Sequence, residues 1–273
     1  MEKEIIVNDS GEVIIISDTV KIIPKNAFRR CTKVSKIIIP ESVYKIEDGA
    51  FEDCISLIKL NIPKSVKCIG RRICSNCISL QAINVDPANA NYYSEDGVLF
   101  DRNLKKLLYC PGKMPGNIED CVYKVPDDIK IIGRFAFSDC HLLTKIIISD
   151  TVETIEEFAF SDYLRTCPGS TQKDLNTLNG PEIAEKLRNH LQELIIGMGV
   201  KKIEPDICKD CQELLFITIK TLSPPPLVQQ ENSKYFLFGS SIMPTVIHVP
   251  VGSIYKTEPI WKEYAERMIE DVK

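Results

Sequence analysis

The chain has 273 residues, 44% of them hydrophobic and 26% charged, with a formal net charge of -4. That length can bury a large core as one or two domains, and the composition is that of a soluble folded protein. The lack of a basic excess argues against nucleic acid as a partner, and no stretch reaches the roughly 18 uninterrupted apolar residues of a membrane-spanning helix.

The amino terminus, MEKEIIVNDSGEV, is charged from residue 2 and has no apolar h-region, so as written it is not a secretory signal peptide. Either the protein stays inside the cell or a signal has been removed from it. GEVIIIS (11–17) looks like the tail of an opening half-repeat, and three copies of a 23-residue unit follow: 18–40, 41–63 and 64–86. Two more occupy 127–149 and 198–220. A sixth starts at DTVETIEEFAF (150–160), is interrupted, and resumes at LQELIIG (191–197).

The shared pattern is V-x-x-I-x-x-x-A-F-x-x-C-x-x-L-x-x-I-x-I-P. Its second half is the strand signature of a leucine-rich repeat, and the 23-residue period lies within that class. Alternation in I-x-I sends one set of side chains inward and the other outward. The A-F-x-x-C segment has the spacing of a short helical turn with Ala, Phe and Cys inward. One such coil cannot bury its own apolar face, so the coils must stack.

With A-F-x-x-C and the I-P ending, the pattern resembles the BspA-like leucine-rich-repeat family. NYYSEDGVLFDRNLKKLLYCP (91–111) is similar to the family's hairpin insert, with Asp101 to Asn103 as its turn, and YKVP (123–126) would supply the strand of that longer coil. TLSPPPL (221–227) matches the proline-rich exit, and 245–270 is similar to the closing V-P-x-G-S…Y-K…W cap. The resemblance implies a surface or secreted protein that takes part in adhesion and protein binding.

Cys31, Cys54, Cys77, Cys140 and Cys211 share one repeat position and predict a buried ladder of free thiols. CSNC (74–77) and CKDC (208–211) have zinc-ligand spacing. However, Cys74 and Cys208 occupy the inward position held elsewhere by Phe28, Phe51, Phe137 and Phe160. Four coils of separation, roughly 19 Å at strand spacing, also exclude one shared metal. An exposed, low-pKa redox thiol is not expected there either. His141, His190 and His248 show no ligand or triad spacing, and GMG (197–199) reads as a turn between coils. No metal, cofactor or catalytic set is predicted.

Residues 163–190 depart from the repeat. Their first half is polar, and their second has helical spacing at Ile183, Leu187 and Leu191 behind Pro181. This insert is either a partner-binding loop or a tolerated surface loop. The triple proline of 221–227 turns the chain out of the sheet. Trp261, Tyr264 and Met268, at i, i+3 and i+7, read as the buried face of a capping helix.

The outward sheet positions form two columns across coils. The first is Lys36, Lys59, Ala82, Lys145, Glu193 and Phe216; the second is Ile38, Asn61, Asn84, Ile147, Ile195 and Thr218. Outward isoleucines with Phe216 mark a candidate protein-binding face. The predicted fold is a right-handed leucine-rich-repeat solenoid of about seven or eight coils. One face carries a parallel sheet and the other short helical turns. The solenoid spans 1–244, with inserts at 87–126 and 163–190, and a helical cap packs on it from 245–273. The predicted function is non-catalytic protein binding by a monomer, as an adhesin or as an intracellular scaffold. An enzyme or redox protein is the competing class, and carbohydrate binding a minor one because Phe216 alone offers an aromatic platform.

Overall fold

The computed structural model describes the backbone of residues 5–7, 11–112, 121–161, 190–226 and 245–273. The helical expectation behind Pro181 lies outside these residues except for His190 and Leu191, which are not helical, and so does the end of the proline-rich exit at Leu227. The chain divides into two units, Met1–Gly116 and Asn117–Lys273.

In the first unit each I-x-I run becomes a rung of a parallel sheet. β2 (Val13–Ile16), β4 (Lys36–Ile38), β6 (Lys59–Ile62) and β8 (Ala82–Val85) stack in order, and β1 (Ile5–Val7) pairs antiparallel with β2. The register advances by one repeat per rung: Val13 faces Lys36, Lys36 faces Lys59, and Lys59 faces Ala82. The alternate residues Ile14, Ile37, Leu60 and Ile83 are buried, because a two-residue period sends every second side chain to the core. The V-x-x-I half of each repeat forms a second, shorter ladder of β3 (Ile22–Ile23), β5 (Lys45–Ile46) and β7 (Cys68–Ile69). Proline ends the long strands, and Pro40 and Pro63 carbonyls each accept a bond from the third residue on, Val43 and Val66.

The A-F-x-x-C segments are not helical turns, as their spacing predicts, but a third ladder. Asn26, Phe28 and Arg30 N–H groups donate to Asp48, Ala50 and Glu52 of the next coil at 3.1, 2.8 and 2.9 Å, while Ala27, Arg29 and Cys31 donate three residues back. An α-helix would spend all these donors on its own carbonyls; alternating them lets each coil bond to the next. The geometry requires positive φ at two positions four residues apart. Asn26 and Arg30 take it in one coil, Gly49 and Asp53 in the next, and Arg72 and Asn76 in the third. Phe28 stacks on Phe51 at 5.8 Å inside this ladder.

The insert is a three-stranded antiparallel unit of β9 (Tyr92–Glu95), β10 (Val98–Asp101) and β11 (Lys106–Tyr109). It has two turns instead of the single one expected at Asp101–Asn103: Asp96–Gly97, both at positive φ, and 102–105. Asn89 orders its entry, donating from Nδ2 to Pro63 and Val66 carbonyls at 2.9 and 3.0 Å and accepting at Oδ1 from Asn91 and Tyr92 N–H.

The second unit repeats the plan. β12 (Val122–Lys124), the strand expected in YKVP, is followed by β14 (Lys145–Ile147), β16 (Glu193–Ile196) and β18 (Phe216–Ile219). A companion ladder consists of β13 (Ile131–Ile132), β15 (Thr154–Ile155) and β17 (Lys202–Ile203). Against the expected seven or eight coils, eight rungs precede the closing segment: β2, β4, β6 and β8 in the first unit and β12, β14, β16 and β18 in the second. The closing segment is not the predicted helical cap. It adds two further parallel rungs, β19 (Val246–Pro250) and β20 (Met268–Val272), joined through a 3-10 helix at Trp261–Arg267. Trp261 and Tyr264 are buried as predicted, and Met268 is buried as the first residue of β20, not on a helix. Trp261 Nε1 donates to the Pro225 carbonyl at 3.1 Å, which ties this coil to the proline-rich exit.

Candidate functional site

Both predicted columns exist as register-matched rows within each unit. In the first unit Lys36, Ile38, Lys59, Asn61 and Asn84 are all exposed, and Asn84 Nδ2 donates to Asn61 Oδ1 at 3.0 Å. Ala82 departs from the expectation. It is buried because the insert folds over it: a Cβ built on Gly97 would lie 2.8 Å from Ala82 Cβ, and Ile83 N–H donates to the Gly97 carbonyl at 2.9 Å. Only glycine, which also supplies the positive φ of this turn, allows so close an approach.

In the second unit Lys145, Ile147, Glu193, Ile195 and Thr218 are half-buried, and Phe216 is 43% exposed. Lys145 Nζ meets Glu193 Oε2 at 2.8 Å across adjacent rungs, so the basic and acidic members of that row neutralise each other. Each row is longer than the repeats indicate. Ile15, 40% exposed, lies beside Ile38 at the start of the first unit. In the second unit His248 and Ile269 follow Thr218 in register. His248 Nδ1 lies 2.9 Å from Asp271 Oδ1, with its ring 6.0 Å from that of Phe216. His248 and Ile269 were not legible as row members because the closing segment breaks the 23-residue period; the I-x-V alternation of VIHVP was the available signal, and for Ile15 it was the half-repeat at 11–17.

The cysteine column is placed as predicted, with Cys54, Cys77, Cys140 and Cys211 buried, as are Cys74 and Cys208. The column does more than fill space: Cys54, Cys77 and Cys211 thiols donate to Phe28, Phe51 and Phe160 carbonyls of the preceding coil at 3.1, 3.2 and 3.0 Å. Cys31, at the start of the column, has no earlier coil of its kind over it and is only half-buried. The Cys54 thiol beside it lowers the Cys31 pKa to about 7 against the opposing effect of burial, and Cys54 is pushed up. Cys68 and Cys121, outside the column, are exposed.

Two polar features were not legible in the repeat. On the turn side of the first unit, Glu52 and Asp53 are buried under arginines. Glu52 Oε1 meets Arg29 and Arg72 at 3.0 Å each, and Asp53 Oδ2 meets Arg29 at 3.2 Å. Desolvation raises the Glu52 pKa in spite of its arginine neighbours. In the second unit Phe135 and Phe158 occupy the positive-φ position and stack at 5.1 Å, with the Arg134 guanidinium 5.3 Å from each ring. His141 is buried, and His190 Nδ1 meets Glu213 at 3.0 Å on adjacent coils. Among the described residues no three His, Cys, Asp or Glu side chains are grouped to hold a metal ion, and no helix is long and apolar enough to cross a membrane.

Comparison with known proteins follows the same lines. Residues 4–113 and 117–224 match the model for a BspA type leucine-rich repeat region, in six copies. Among solved structures, the pneumococcal vaccine antigen PcpA superposes with a TM-score of 0.61 at 22% identity, over 96% of this chain and 67% of that one. A leucine-rich cell surface protein from Faecalibacterium prausnitzii A2-165 gives 0.54 at 24% identity, over 77% of this chain and 54% of that one. A leucine-rich-repeat protein from Eubacterium ventriosum gives 0.54 at 19%, over 88% and 66%. This chain thus spans between 54% and 67% of the length of these three. No curated protein matched it.

Proposed function

This chain belongs to the BspA-type leucine-rich-repeat family, and on that premise we propose that it is a non-catalytic protein-binding solenoid whose outward sheet rows receive the partner. The observation that carries this reading is the exposure of large apolar side chains in register on a sheet. Ile15 and Ile38 stand side by side in the first unit, and Phe216 and Ile269 are 43% and 47% exposed on the sheet of the second. Aliphatic and aromatic groups on a regular, hydrogen-bonded floor lose little entropy when covered, so they favour a preorganised contact. The finer reading is adhesion to a protein of a host or neighbouring cell, supported by the family resemblance and by the surface location named for the Faecalibacterium protein.

The test is capture of partners by immobilised protein from separate surface and cytosolic fractions, with the Lys59→Glu/Phe216→Ala variant alongside. The reading expects a specific partner whose capture the variant abolishes while its melting temperature stays near that of the parent. Unchanged capture would move the binding site from the sheet rows to the 163–190 insert.

A further inference from the structure

Where charged residues of the described strands face each other in register, they are opposite in sign at Lys145–Glu193 and at Asp101–Lys106. The exception is Lys36, which faces Lys59 directly across adjacent rungs. Both are exposed, and among the described residues neither has a carboxylate within salt-bridge distance. Like charges at this spacing, about 4.8 Å between strands, oppose sheet pairing. Elsewhere the fold removes such repulsion: Lys45 is bonded to Glu47, Lys202 to Glu204, and Lys130 and Lys201 share Glu153, all at 2.8 to 3.1 Å.

Two other features surround the lysine pair. Ile38 lies two residues along the rung from Lys36, beside Ile15, and both are 40% exposed. On the far side the insert closes the lysine row at Ala82, with Gly97 packed on it, so in that row the open floor consists of β2, β4 and β6, while Asn84 of β8 stays exposed in the other. Glu95 and Asp96 at that wall are exposed and make no ion pair with Lys59. Three rungs are about 10–15 Å wide, room for one extended chain.

We propose that this floor binds an extended acidic peptide segment of a partner protein, with carboxylates meeting Lys36 and Lys59 and an aliphatic side chain, two positions along, covering Ile15 and Ile38. An extended segment repeats its same-face side chains at the two-residue interval that separates Lys36 from Ile38, so acidic-x-aliphatic is the matching pattern. A nucleic acid or sulfated glycan would satisfy the lysines but leave the isoleucines wet. The inference rests on the protein-binding reading and supplies its partner class for the first unit.

The experiment is selection of a displayed random-peptide library on the full chain. The most enriched peptide is then labelled, and its anisotropy is measured on four proteins: the parent, Lys36→Glu/Lys59→Glu, Ile38→Ser and Phe216→Ala. Enriched sequences should carry Asp or Glu two positions from Leu, Ile, Val or Phe. Binding should weaken roughly tenfold or more with the double reversal and severalfold with Ile38→Ser, and should be unchanged by Phe216→Ala, which lies in the other unit. Circular dichroism checks that the variants fold; their side chains are exposed. An enriched set without acidic excess, acidic peptides indifferent to the double reversal, or no enrichment at all would each overturn the inference. So would full competition by heparin together with a loss of heparin binding in the reversal variant, because the lysines would then be a general polyanion site. None of these outcomes bears on partner capture through Phe216, so the broader reading stands or falls separately.

Discussion

The turn-side ladder and the outward sheet rows are built on the same 23-residue interval, yet only the ladder repeats its residues. Phe28 and Phe51, then Phe137 and Phe160, stack at 5.8 and 5.4 Å, and the cysteines following them are bonded to the phenylalanine carbonyls of the coil before. Along the outward rows Lys, Ala, Glu and Phe succeed one another. A ladder position inside the stack is enclosed by its counterparts in the neighbouring coils, so its residue is held to a buried shape: phenylalanine in four coils and cysteine, at Cys74 and Cys208, in two. An outward position meets only its two row neighbours and whatever binds there, which leaves its chemistry free to differ between the units. The positions that recur are thus the ones that hold the coils together, and the proposed recognition falls on those that do not.

That contrast can be broken most severely in the ladder. Phe51→Ala should lower unfolding free energy by about 3–5 kcal/mol, measured by denaturant titration, because a fully buried ring stacked on Phe28 leaves a cavity that rigid coils cannot close. Next comes alkaline pH. Burial raises the Tyr255 phenol, hydrogen-bonded to Thr221, from 10 to about 12. A raised folded pKa means that this contribution is intact below pH 10 and lost as pH climbs through about 12. The loss should reach about 2–3 kcal/mol and be missing from the alkaline limb of Tyr255→Phe. Cys77→Ala should cost about 1–2 kcal/mol, removing a buried sulfur and its bond to Phe51 O.

The same cysteines sharpen the comparison by reactivity. A thiol reagent should modify Cys31, Cys68 and Cys121 in the native protein and spare Cys54, Cys74, Cys77, Cys140, Cys208 and Cys211 until denaturation. Cys31 should react with a midpoint near pH 7. Brisk native labelling of Cys54 or Cys77, read by peptide mass, would contradict the ladder. The smallest effect belongs to the outward row: Phe216→Ala should change stability by no more than about 0.5 kcal/mol. A larger loss there would show that the second unit's row serves packing, not recognition.

Much of this was legible from residue spacing. The period located the rungs of the repeats, the inward cysteines and phenylalanines, and the outward rows, because a two-residue alternation and a fixed coil length leave side chains no other direction; the rung in YKVP was expected from the resemblance of the insert. The A-F-x-x-C turn was misread as helical because apolar spacing does not say which carbonyl an N–H will use; the neighbouring coil claims alternate donors and requires positive φ at Asn26 and Arg30. The capping helix failed for a related reason. Trp261, Tyr264 and Met268 do turn inward, but Met268 begins a strand that pairs in parallel with the edge of β19.

The linear pattern by itself determined the class of fold and the core, since equal intervals of apolar residues can be buried together only by stacking. Which outward side chains remain available was decided in three dimensions. Ala82 vanished beneath Gly97, His248 joined a row to which no repeat assigned it, and Lys145 found Glu193 while Lys36 found Lys59. Such contacts join residues through coil register and through an insert that keeps no period, and a repeat motif contains neither.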